Sequence, residues 1–61
     1  IDHDLSQAVM LYAQWGSYAK AATRLGGKIT GEGIRQRVIS AYQKDPQWVM
    51  QVLPYDKLPK I

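Results

Sequence analysis

Residues 17–38, which read SYAKAATRLGGKITGEGIRQRV, decide the fold of this 61-residue chain. Ser17 is a residue type that caps helices, and a short helical pattern containing three alanines follows it from Tyr18 to Leu25. Alanine side chains are small enough to let a second helix approach closely. Gly26-Gly27 should end this helix, because glycine readily adopts the positive φ that a turn requires.

A longer helix is predicted after the turn, over residues 31–43. Thr30 is a natural N-cap, and Glu32 in the first turn suits the positive end of the helix dipole. Gly31 and Gly33 weaken this helix at its start, which is unusual unless something must come close there. A DNA phosphate or base edge could be that neighbour, or the glycines could simply permit a tight turn.

A short helix, a glycine-bearing turn and a second helix form a helix-turn-helix pattern. Ala22 (or its neighbour Ala21) supplies the small residue at which the second helix crosses the first. Ile34 and Val38 fall on one side of the second helix and should anchor it from beneath. One departure is the distance from Gly26 to Ile34, which is longer by about two residues than the usual turn.

A first amphipathic helix is predicted ahead of this motif, over residues 5–15. Asp4 is the expected N-cap, with Gln7 as the partner of a capping box. Tyr12 and Trp15 fall on the packed face of this helix and should supply core area.

The tail has a different pattern. Residues 48–53 (WVMQVL) are rich in β-formers and predict one short strand, although a final helical turn after Pro46 is the alternative. Pro54 and Pro59 predict that residues 54–61 form an extended arm without regular hydrogen bonding.

The predicted fold class is therefore mainly α: one three-helix helix-turn-helix domain spanning residues 1–61, with a short C-terminal strand and an extended arm. The chain has no cysteine, so disulfides cannot reinforce its small core, and dimerisation is the most economical way to bury more apolar surface. Trp48 and Val52 or Leu53 could belong either to the core or to a dimer contact. The predicted dimer interface comprises Trp48, Met50, Val52, Leu53 and Tyr55.

The positive charge is concentrated in the helix-turn-helix. Residues 17–44 contain six basic side chains and one acid, whereas residues 1–16 sum to −2 and residues 45–61 to zero. A basic block confined to two helices and their turn is typical of a DNA-reading module, although a solvated basic surface is the simpler interpretation.

The second helix of the motif carries the residue types that read bases in the major groove. Arg35 or Arg37 can make a two-pronged contact with guanine, and Gln36 can pair with adenine. Glu32 can accept from cytosine N4, or it can act only as the partner of the helix dipole. The residues expected to contact phosphates are Ser17, Lys20, Thr23, Arg24, Lys28, Thr30 and Ser40.

The segment from Trp15 to Gly26 resembles the helix-turn-helix of the Cro repressors of lambdoid phages. That family opens the motif with an aromatic-Gly pair, followed by a helix with an internal Ala and a closing Leu-Gly. The tail from Gln51 to Tyr55 is similar to the family's late strand and Pro-aromatic arm. The resemblance also fits related phage and plasmid repressor groups. It implies a homodimer that binds a palindromic operator and represses transcription, with Glu32, Arg35 and Gln36 contacting bases.

Two other functions fit the same sequence. The chain could be an architectural or recombination accessory protein, or the DNA-binding part of a phage packaging subunit. It could instead be a protein-interaction module that docks through residues 48–61.

Other functional classes receive little support from the sequence. Catalysis lacks a second His, a Cys or a positioned pair of carboxylates, so no enzyme activity is expected. His3 lies between Asp2 and Asp4, and this trio is better explained as an acidic chain end than as a metal site. No cofactor or small-molecule ligand is indicated. The absence of a signal peptide or an apolar span predicts a cytoplasmic protein without membrane contact.

Overall fold

The helix that follows the glycine turn is the element against which the other helices pack. A computed structural model describes residues 2–59 and contains four α-helices in that range: α1 (His3–Trp15), α2 (Tyr18–Arg24), α3 (Gly31–Lys44) and α4 (Pro46–Val52). A 3-10 turn over Tyr55–Lys57 follows α4. Helix α3 contacts α1, α2 and α4, so its inward face lies at the centre of the molecule.

Apolar residues from all four helices form the core, as the mainly α prediction requires. The three buried residues of α3 (Ile34, Val38 and Ala41) recur at helical spacing and provide its centre. Tyr12 is buried as predicted. The complete set of buried side chains in residues 2–59 is Ala8, Val9, Tyr12, Ala21, Ala22, Ile34, Val38, Ala41, Val49 and Leu53.

Helix α1 begins two residues earlier than predicted. Asp2, rather than Asp4, is the N-cap, and its Oδ1 accepts from the Asp4 backbone nitrogen at 3.1 Å. The helix ends at Trp15, as predicted, because Gly16 adopts a positive φ of 74° and donates its N–H to the Tyr12 carbonyl.

The two helices and the glycine turn of the predicted motif lie where the sequence places them. Ser17 caps α2, and Gly26 and Gly27 turn the chain with φ of 75° and 78°. Thr30 caps α3, since its Oγ1 accepts from the Gly33 backbone nitrogen at 3.1 Å. The long connection between the two helices therefore contains two consecutive left-handed glycines.

Gly31 lies where α2 and α3 approach each other closely. A Cβ on Gly31 would lie 3.3 Å from the backbone nitrogen of Ala19 and 3.4 Å from its Cα. The neighbour that Gly31 accommodates is thus the backbone of α2, whereas Gly33 faces the side chains of Ile29 and Thr30. The result is that the first turn of α3 lies directly against the first turn of α2.

The predicted strand over residues 48–53 is wrong, because residues 48–52 belong to α4 and Leu53 is its C-cap. Asp45 caps the helix, with its Oδ1 accepting from the Trp48 backbone nitrogen at 3.2 Å, and Pro46 occupies the first turn, where its missing N–H costs nothing. Val49 and Leu53, four residues apart, are both buried against the core. The helical alternative after Pro46 is therefore the observed conformation.

The tail after α4 is not the extended arm that its prolines predict. Residues 55–57 form the 3-10 turn, and Lys57 Nζ donates to the Gly16 carbonyl oxygen at 2.9 Å. Leu58 packs against the core. The arm thus folds back onto its own domain up to Pro59, and the remaining residues of the predicted arm lie outside the described range.

Candidate nucleic-acid interface

The outer face of α2 presents the polar and basic residues expected to hold phosphates. Ala21 and Ala22 face the core, which leaves Lys20, Thr23 and Arg24 exposed on the other side. An open groove follows this face. It is lined by Trp15, Ala19, Lys20, Thr23, Arg24 and Gly26.

Trp15 belongs to this outer surface and not to the core, which corrects the sequence prediction. It is 41% exposed, and the guanidinium carbon of Arg24 lies 5.8 Å from its ring centroid, within range of a cation–π contact. Sequence reasoning missed Trp15 as a surface residue because the helical spacing places it beside Tyr12. The signal that could have located it is its position as the last residue of α1, next to the break at Gly16.

Two of the four candidate phosphate-binding hydroxyls have structural roles that leave their protons available. Ser17 Oγ accepts from the Lys20 nitrogen at 3.3 Å, and Thr30 Oγ1 accepts at the start of α3. Each hydroxyl can still donate its O–H to a phosphate. Thr23 differs, because its Oγ1 donates to the Ala19 carbonyl at 3.0 Å and its proton is used within the helix.

Three of the four candidate base-contacting residues form one hydrogen-bonded unit at the head of α3. Arg35 donates from Nε to Glu32 Oε1 at 3.0 Å and from Nη2 to Oε2 at 2.6 Å. Gln36 donates from Nε2 to Glu32 Oε2 at 3.0 Å. These bonds come from the (i, i+3) and (i, i+4) spacing of one helix face. We refer to Glu32, Arg35 and Gln36 as the α3 triad.

The hydrogen bonds of the triad fix its charge state. The Arg35 guanidinium first, and the Gln36 amide second, lower the pKa of Glu32 from 4.5 to about 2. The same carboxylate raises the pKa of Arg35. The head of α3 therefore presents a paired carboxylate and guanidinium near neutral pH.

The remaining candidates on α3 and its preceding turn lie apart from the triad. Arg37 is half-buried and two positions beyond Arg35, which places it about 200° further around the helix. Ser40 is also half-buried, and Lys28 is exposed in the turn. The structure thus groups Glu32, Arg35 and Gln36 but does not bring Arg37 to them.

One side of α3 and the 3-10 turn lie next to a pair of stacked tyrosines. Tyr12 and Tyr18 stack with ring centroids 4.1 Å apart, and Lys57 Nζ lies 5.9 Å from the Tyr12 ring. Burial, and then the neighbouring Tyr12, raise the pKa of Tyr18 to about 12. Arg35 and Ile39 of α3 line a shallow pocket next to this stack, together with Asp56 of the tail. The tail therefore lies close to Arg35, one member of the triad.

The predicted dimer contacts divide into buried and exposed residues. Leu53 is 3% exposed and fills the core of its own chain, so little of its side chain is left for a partner. Trp48 and Val52 are half-buried. Met50 and Tyr55 are exposed, at 49% and 90%.

The described part of the chain contains neither a cluster of metal-binding side chains nor a membrane-spanning helix. Within residues 2–59, no group of three or more His, Cys, Asp or Glu side chains is placed to hold a metal ion. No helix in the same range has the length and apolar character needed to cross a bilayer.

Comparison with known proteins gave no relatives for this chain. No protein-family model matches it, no curated protein is significantly similar, and no solved structure aligns with it significantly.

Proposed function

We propose that this chain is a sequence-specific double-stranded DNA-binding protein that acts as a homodimeric transcriptional repressor of the phage or plasmid type. Helix α3 enters the major groove, and α2 with the glycine turn contacts the sugar–phosphate backbone. A protein of this kind works in the cytoplasm, where its operator lies.

The observation that carries the proposal is the contact between Gly31 and Ala19. It places the exposed, basic face of α2 next to the exposed first turns of α3. Phosphate-binding cations and base-reading side chains therefore occupy neighbouring surfaces, as recognition of one half-site requires.

The charge distribution supports the same division of roles. Lys20 and Arg24 are exposed on α2, and Lys28 is exposed in the turn, so three cations line the predicted backbone contact. Arg35 and Gln36, which have the chemistry for guanine and adenine, project from α3. The fold-back of the tail onto α1 weakens the rival in which residues 48–61 dock a protein partner.

The test is selection of binding sites from a random pool of duplex DNA at moderate salt. We expect a palindromic consensus whose half-site spacing gives the distance between two α3 helices. Recovery of no sequence above background would contradict the proposal.

Binding to a scrambled duplex separates repression from an architectural, recombination or packaging role. A sequence-specific repressor should lose about a thousandfold or more in affinity on scrambled DNA. An architectural protein should lose little, and should keep a steep dependence on salt.

A further inference from the structure

The geometry points to Glu32 as a positioning residue: it holds Arg35 and Gln36 so that together they read a guanine and an adenine within one half-site. This role rests on the DNA-binding function proposed above. It differs from a direct base contact by Glu32 itself, because the carboxylate acts through its two neighbours.

The hydrogen bonds leave Arg35 with the edge that guanine requires. A guanidinium has five N–H donors, and Glu32 engages one on Nε and one on Nη2. Both N–H groups of Nη1 and the second N–H of Nη2 remain. The Nη1–Nη2 edge therefore keeps two parallel donors, which match the O6 and N7 acceptors of guanine in the major groove.

The third bond orients the amide of Gln36. Its Nε2 gives one N–H to Glu32 Oε2 at 3.0 Å, which distinguishes the nitrogen from the oxygen of the amide and fixes which way it faces. Oε1 and the second N–H stay available. One acceptor and one donor are what the N6 amino group and N7 of adenine require.

Most of the acceptor capacity of Glu32 is already used within the triad, which argues against a base contact of its own. Its two oxygens accept three bonds from Arg35 and Gln36. The ion pair is exposed, with the side chains of Arg35 and Glu32 42% and 62% accessible, so it contributes little to stability. Its negative charge also opposes phosphate, which lowers affinity for DNA of any sequence. A residue of this kind favours specificity over affinity.

The experiment compares Glu32→Gln with the matched control Asp4→Asn in the full chain. Glu32→Gln keeps the size of the side chain but replaces an acceptor oxygen with an NH2 group, which cannot accept from Arg35 or Gln36. Asp4 also lies in the first turn of a helix and has no arginine partner, so Asp4→Asn makes the same change in net charge without affecting the triad.

Both variants should bind scrambled duplex as well as the wild type or slightly better, because each loses a negative charge. On the site selected by the wild type, Glu32→Gln should bind about tenfold more weakly, with relaxed preference at one guanine and one adjacent adenine. Asp4→Asn should keep the wild-type base preferences. Glu32→Asp retains the charge, but its shorter side chain cannot reach both Arg35 and Gln36. It should therefore relax the preference at the same guanine and adenine.

Unchanged base preferences in Glu32→Gln and Glu32→Asp would overturn the inference. A loss confined to a cytosine position would also overturn it, since Glu32 would then be reading a base directly. If the wild type selects no sequence, the proposed function fails and the positioning role fails with it. If the wild type selects a site that both Glu32 variants read equally well, only the positioning role fails. Thermal melting of each variant identifies any that is not folded.

Discussion

Lys57 Nζ donates to the carbonyl oxygen of Gly16 at 2.9 Å, joining two residues 41 positions apart in the chain. The ammonium group thus lies at the C-terminal end of α1, where the helix dipole favours a cation. This bond links the 3-10 turn to the junction between α1 and α2.

Lys57→Met should lower the free energy of unfolding by about 1 kcal/mol, because it removes a charged donor from a helix end while keeping the length of the side chain. Urea unfolding followed by circular dichroism measures the effect. Lys28→Met is the control, since Lys28 is exposed in the turn. Equal stability of the two variants would show that the Lys57–Gly16 bond contributes nothing.

Gly31→Ala should destabilise the domain, whereas Gly33→Ala should not. Alanine in a helix is normally favoured over glycine by about 1 kcal/mol. At Gly31 the new methyl would press on the backbone of α2, at 3.3 Å from the Ala19 nitrogen, and that backbone cannot move aside without shifting the helix. At Gly33 it would meet the Ile29 side chain at 3.4 Å, an ordinary contact.

Thermal melting of the two glycine variants checks this expectation. A lower melting temperature for Gly31→Ala, with an equal or higher one for Gly33→Ala, supports the close contact between α2 and α3. Stabilisation by both substitutions would contradict it.

The Glu32–Arg35 pair should be lost in acid. Because the pKa of Glu32 is about 2 when folded and 4.5 ordinarily, its contribution to stability is complete above about pH 4.5. That contribution disappears as the pH falls towards about 2. An NMR titration of the Glu32 side-chain carboxyl should give the low midpoint, and Arg35→Ala should move the midpoint back towards 4.5. A wild-type midpoint near 4.5 would rule out the pair.

Tyr18 should ionise well above the ordinary pKa of a tyrosine. Its pKa is raised to about 12, so the neutral phenol is the favoured form in the folded chain, and its contribution to stability is complete below about pH 10 and is lost as the pH rises towards about 12. Ultraviolet absorbance of tyrosinate measures the titration. Tyr18→Phe should remove the component that titrates towards pH 12, and persistence of that component in the variant would contradict its assignment to Tyr18.

Substitutions of base-reading residues and of phosphate-binding residues should change DNA binding in different ways. Arg35→Ala or Gln36→Ala should relax preference at one position of each half-site, at a cost of about 1–3 kcal/mol on the selected site. Lys20→Ala or Arg24→Ala should weaken binding to every sequence and reduce the salt slope by about one. Titrations on selected and scrambled duplexes at several salt concentrations measure both effects. Identical profiles for the two kinds of variant would contradict the assigned roles.

Local signals predicted the positions of α2, the glycine turn and α3 well. Ser17, Gly26 and Thr30 each act within a few residues of their own position, and each does in the structure what its chemistry predicts. The triad also follows from spacing, because residues three and four apart on a helix are neighbours. Its hydrogen bonds could have been anticipated from Glu32, Arg35 and Gln36 alone.

The tail was harder to predict because two periods fit its apolar residues. Val49 and Leu53 share one face in a strand and also in a helix, so they do not discriminate between the two. Gln51 does: a strand would place it on the buried face between them, whereas α4 leaves it exposed. Asp45 as an N-cap and Pro46 after it are the local signals that indicate a helix here. The strand prediction gave more weight to the β-propensity of residues 48–53.

The contacts made by Trp15 and Lys57 could not be read from the sequence. Arg24 lies beyond the glycine break that separates α1 from α2, and Gly16 is far from Lys57 along the chain. Such contacts depend on how the helices assemble.

Asp45 ends one helix and begins the next, since its N–H bonds to the Ala41 carbonyl and its carboxylate caps α4. Asp45 alone separates α3 from α4, and the two helices also pack against each other, so they form one bent unit. A tilt of α3 in a groove would swing α4, with the exposed Met50, through the same angle.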